Sequence, residues 1–130
     1  MTLLELAEDC ERANGADREL DYLIACAIGV AEMRGQFCFS LHRVAGSSHE
    51  MHVALCYTAS LDAAMSLVPE GWDWEIGHTN GGMTIYANVG GAHEYVDHFE
   101  WRRFASSAPL ALASAALRAR HAMAMEGGNG

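Results

Sequence analysis

The chain has 130 residues, 51% of them hydrophobic and 19% charged, which excludes wholesale disorder and fits one domain rather than two. Seventeen acidic residues stand against eight basic ones, all arginine, for a net charge of −9. A field of that sign repels phosphate backbones and argues against direct nucleic-acid binding.

No apolar run approaches the ~20 residues that span a bilayer. The sequence opens without a basic segment followed by an apolar one, so a cytoplasmic protein is expected. Cys10, Cys26, Cys38 and Cys56 are irregularly spaced, with no C-x-x-C pair, and are expected to be reduced thiols.

The first element is a helix. Thr2 and Glu5 have capping-box spacing, and Leu3, Leu6, Ala7, Cys10 and Ala13 form its apolar stripe. Asn14-Gly15 stops it. A second helix starts at Asp17 as N-cap, continues through Leu20, Leu23, Ile24 and Ile28, and ends at Gly29. Phe37, Phe39 and Leu41 then alternate with polar partners, as a half-buried strand does, and Met51, Val53 and Leu55 alternate in a second strand up to Tyr57. The turn Ala45–Ser48 would join them as a hairpin. Thr58 or Ser60 caps a short helix that Pro69 ends.

Trp72-Asp-Trp74-Glu-Ile76 and Met83-Thr-Ile85-Tyr-Ala87-Asn-Val89 flank Asn80-Gly81, the strongest short hairpin signal. Residues 93–104 leave strand and irregular loop open. Ser107-Ala108-Pro109 announces an alanine-rich helix, and 127–130 read as a tail. The expected fold is therefore one α+β domain over 1–126. Its order is ααββαββα, and helices cover an antiparallel sheet in a helix/sheet/helix sandwich.

Three blocks carry a resemblance. They are Leu4–Arg12 with Asp17–Asp21, Tyr57–Trp74, and Ala108–Arg118. They resemble segments of small prophage-encoded proteins of alphaproteobacteria, the phage ABA sandwich domain proteins, named for their layers of helix, sheet and helix. The resemblance implies that layering and a phage setting. It implies no catalytic residues.

The candidate chemistry is that of binding. His49-x-x-His52 and His93 with Asp97-His98 lack the face-sharing and the third ligand that a metal site needs, so no metal and no cofactor are expected. There is no nucleophile elbow, P-loop or dinucleotide fingerprint, which favours a binder over an enzyme. Trp72 and Trp74 share a strand face with Ile76, either as a core wall or as a stacking platform for bases. Trp101 with Arg102 and Arg103 would add an aromatic ring and phosphate contacts. The helix starts at Thr58, Ser60 and Ser107 offer N–H groups to an anion or simply cap.

These residues would form the site of a small binding protein with anti-defence action. It would sequester a nucleotide-type immune signal, a cyclic oligonucleotide or an ADP-ribose derivative, inside the infected host. The alternative is a direct protein inhibitor of a host defence enzyme, presenting the acids Glu5, Glu8, Asp9, Glu11, Asp17, Glu19 and Asp21. A phage accessory or structural role is the third reading. The small residues of the last helix suit close packing between copies, so a homo-oligomer is expected.

Overall fold

The computed structural model describes residues 1–34, 37–40, 55–79, 84–90 and 101–127. The elements run α1 (Leu3–Arg12), α2 (Arg18–Ala27), β1 (Ala31–Arg34), β2 (Phe37–Ser40), α3 (Leu61–Met65), β3 (Asp73–Thr79), β4 (Thr84–Gly90), β5 (Trp101–Ala105) and α4 (Ala108–Gly127). The class is α+β, with antiparallel strands and a C-terminal helix.

Local chemistry sets the helix ends. Thr2 Oγ1 accepts from the Glu5 N–H at 3.1 Å, and the Thr2 N–H donates back to Glu5 at 3.3 Å, the expected capping box. Asp17 caps α2 by accepting from the Leu20 N–H at 3.1 Å. At the other end of α2, Gly29 takes a φ of +83°. Its N–H donates to Cys26 O at 3.2 Å, and the Val30 N–H donates to Ala25 O at 3.1 Å. That pair of bonds is a Schellman motif, and its positive φ favours glycine. Ser60 caps α3. That helix lasts five residues, and the turn that follows closes the Trp72 N–H on Pro69 O at 3.0 Å, with Gly71 at a φ of +82°.

Two sheets form. In the larger, β4 lies between β3 and β5, with Asp73 opposite Gly90, Thr79 opposite Thr84, and Val89 opposite Trp101. The strands on either side of Asn80-Gly81 are thus a hairpin as expected, the turn itself lying outside the described residues. Of the stretch 93–104 with its two possibilities, the described part from Trp101 is a strand.

The smaller sheet holds a pairing that the sequence pattern did not signal. Phe37–Ser40 is a strand, but its partner is Ala31–Arg34, in the register Ala31↔Ser40 and Arg34↔Phe37. In the segment expected to pair with it, residues 51–54 lie outside the described set and 55–57 are not strand. Only Gly35-Gln36 separates β1 from β2 in the sequence. A two-residue connection suits a tight hairpin, and the near partner closes a far smaller loop than the distant one.

The core is built around α4. Leu110 to Leu117 is buried without a break, so this stretch has no solvent face. The helix packs against α1, α3 and one face of the larger sheet. Its alanines let those neighbours approach closely. Ala111, Ala113, Ala115, Ala116 and Ala119 are thus buried within the chain. No described helix is long and apolar enough to cross a membrane.

Candidate functional site

Cross-strand partners share a sheet face, so the register sorts the larger sheet into two surfaces. Toward α4 lie the pairs Trp74 with Val89 and Ile76 with Ala87, all packed in or against the core. Away from α4 lie two rows, Glu75–Asn88–Arg102 and Gly77–Tyr86–Phe104.

The outer rows are tied together. Asn88 Nδ2 donates to Glu75 Oε1 at 2.5 Å, and Arg102 Nε donates to Asn88 Oδ1 at 2.8 Å. The amide thus bridges an acid and a base, and although it sits on an outer row Asn88 is only 1% exposed. The Arg102 guanidinium lies 4.8 Å from the centroid of the Tyr86 ring, a cation–π distance. Tyr86 meets Phe104 edge to face, with centroids 6.3 Å apart at 64°. A methyl group at Gly77 would collide with the Tyr86 hydroxyl and ring, so the glycine makes room for the tyrosine lying across it. Phe104 is 48% exposed. Together these groups form an open patch of one guanidinium and two rings, with the exposed Glu75 as an acceptor beside it.

The eight residues singled out from the sequence fall in different places. Arg102 belongs to this patch. Trp72 and Trp74 are part-buried and pack against the core. The Trp101 backbone pairs with Val89, and its side chain lies outside the described set. Ser60 Oγ accepts from the Ala63 N–H at 3.3 Å and Ser107 Oγ from the Leu110 N–H at 3.4 Å, both as caps.

Arg103 points the other way. It grips Glu11 of α1 with two hydrogen bonds of 3.1 and 2.7 Å, and Arg118 of α4 grips the same carboxylate at 2.8 and 3.1 Å. Ser114 Oγ donates to it as well. Burial opposes ionisation of Glu11, but the bonds from Arg118, Arg103 and Ser114 outweigh it and hold the pKa down at about 2.

Thr58 is equally committed. Its N–H and its hydroxyl each lie 2.8 Å from Asp21 Oδ1, and the hydroxyl oxygen accepts from the Asp17 N–H at 2.8 Å. Asp21, 2% exposed, also accepts from Arg18. Of the expected acidic surface, Asp21 is therefore buried and Glu11 is part-buried and held by two arginines.

No family model, curated protein or solved structure matches the chain.

The patch was missed from the sequence at Tyr86, Phe104, Asn88, Glu75 and Gly77. The alternation of 84–89 carried part of the signal, since Tyr86 and Asn88 occupy the positions between the core residues Ile85, Ala87 and Val89. Which residues of β5 stand beside them depends on register, which no local pattern supplies.

The described residues hold no group of three His, Cys, Asp or Glu side chains placed to share a metal. His49, His52, His93, Asp97 and His98 lie outside them. Burial, with the charges of Asp9, Glu11, Asp21 and Asp17, pushes the Cys10 thiol up to about 12, so it stays protonated near neutrality.

Proposed function

We propose that this protein binds a nucleotide-type ligand without transforming it. The observation that carries the reading is the Arg102 guanidinium laid over Tyr86 on an open sheet face beside the exposed Phe104 ring. Unpaired bases stack on aromatic rings and on guanidinium planes. A base on this patch would have Glu75 within reach as an acceptor for an exocyclic amine. The resemblance to prophage proteins supports an anti-defence setting, in which the ligand is an immune signal such as a cyclic oligonucleotide or an ADP-ribose derivative. Of the residues read from the sequence, Arg102 carries this proposal, while Trp72, Trp74, Arg103, Thr58, Ser60 and Ser107 support the fold around it.

The test is isothermal titration with cyclic dinucleotides and ADP-ribose, read beside light scattering for subunit number. Stoichiometric heat with the nucleotide recovered intact is expected. Phe104→Ala should weaken binding about tenfold, since one base–aromatic stack is worth roughly 1–3 kcal/mol. Gly77→Ala, which drives the Tyr86 ring from its place, should weaken it with little change in melting temperature. No heat with any nucleotide would overturn the reading. Attention would then pass to a protein partner for the acids that remain outward, Glu5, Glu8, Asp9, Asp17 and Glu19.

A further inference from the structure

A cleft of about 390 Å³ opens on the helical side of the molecule, away from the Tyr86 patch. Leu3 of α1, Ile28 after α2, Pro69 and Met123 of α4 supply apolar wall. Arg120 and Glu70 are its charged members. Arg120 Nε donates to Leu67 O at 2.6 Å, which anchors the guanidinium at the cleft. Among the described residues no carboxylate stands within ion-pair distance of it. Burial lowers the pKa of this arginine, and the neighbouring Tyr57 offsets only part of that. By contrast Arg103 and Arg118, also on the helical side, share Glu11.

A half-buried cation with no carboxylate partner among the described residues, at an apolar cleft, is complementary to an amphiphile with one negative charge. We propose that this cleft binds an aliphatic monocarboxylate, its carboxylate on the Arg120 terminal amino groups and its chain along Leu3, Ile28 and Met123. Two features select against more highly charged ligands. Glu70 is exposed at the cleft and repels a second negative charge. The C-terminal end of α2 borders the cleft, and a helix end of that kind carries partial negative charge. The chemistry differs from that of the Tyr86 patch, and the inference stands apart from the nucleotide reading.

The experiment titrates the full chain with decanoate below its micelle concentration, using decanol and inorganic phosphate as comparisons. Methyl-labelled methionine spectra serve as the reporter. Decanoate should bind one to one and shift the Met123 methyl while leaving that of Met33 in place. Decanol and phosphate should each bind at least about tenfold more weakly, because each lacks one half of the match. Arg120→Met should reduce decanoate affinity by about tenfold or more and leave decanol affinity unchanged. Arg120→Lys keeps the charge without the planar fork and should fall between the two, which retains the test if the methionine variant fails to fold. Glu70→Gln should tighten decanoate severalfold. Equal binding of acid and alcohol, undiminished binding by a folded Arg120→Met, or a Met123 methyl that does not move would each overturn the assignment.

Discussion

Glu11 shows how one side chain changes meaning once its neighbours are known. In the sequence it is one more acid on a solvated helix. In the structure its side chain is 15% exposed and takes both nitrogen forks of Arg103 and Arg118. Two arginines on one carboxylate leave a net positive charge inside the helix–sheet junction, so removing the acid strands both. Glu11→Gln should cost roughly 2–4 kcal/mol near neutrality, most of it from the unpaired cations left behind. The folded pKa is depressed, so the stabilisation from Glu11 is complete above the ordinary value of 4.5 and is lost as the pH falls through about 2. Denaturant unfolding across that window should show stability falling with pH in the parent and a visibly shallower slope in the variant. An unchanged slope would mean the two arginines do not govern this carboxylate. Thr58 teaches the same lesson without a charge. Read as a free cap, it is instead the junction that ties the start of α2 to the turn before α3.

At the scale of elements, α4 decides the architecture. Its alanines predict a helix from propensity alone. They also look like a surface made for a second copy, because small side chains suit close packing anywhere. The structure buries Ala111, Ala113, Ala115, Ala116 and Ala119 where the helix packs on α1, α3 and the sheet. Ala115→Leu therefore tests where the helix is used. Ala115 is fully buried, so the added bulk should destabilise the single chain by about 1–3 kcal/mol through overpacking. Thermal melts that are independent of protein concentration would place that loss within one chain. A loss that vanishes on dilution would place it at a contact between copies. The hairpins divide in the same way. The β3–β4 pair was readable because Asn80-Gly81 sits between two alternating runs, whereas β1 carries Glu32 and Arg34 and offers no strong strand pattern of its own. Proximity along the chain, more than composition, made it the partner of β2.

For the whole molecule, the helical layer separates two surfaces of different chemistry. One is the flat aromatic and guanidinium patch on the sheet, and the other is the apolar cleft at Arg120. Among the described residues no hydrogen bond or ion pair runs directly from one to the other. Titrating a nucleotide in the presence of saturating decanoate should accordingly leave its affinity within about twofold, since coupling requires a two-state element biased by both ligands. A larger change would reveal such an element. The net charge of −9 belongs to this scale as well. It disfavours long polyanions throughout and leaves individual arginines as the places where a small anion can bind.

The sequence by itself determined the α+β class, the ends of α1 and α2, the β3–β4 hairpin and the course of α4. Those features are local: a threonine three residues before a glutamate, a glycine after the last helical turn, or an apolar residue at every second position acts over distances of a few residues. Only the tertiary structure decided which arginine is spent and which remains available. Arg102 and Arg103 are adjacent in the chain, yet the pleat of β5 sends one to the open Tyr86 face and the other to Glu11. Arg118 and Arg120 are two apart on one helix, yet one meets a carboxylate and the other a backbone carbonyl at an apolar cleft. Residue type sets what each cation can do, and the packing of distant segments sets what it has left to bind.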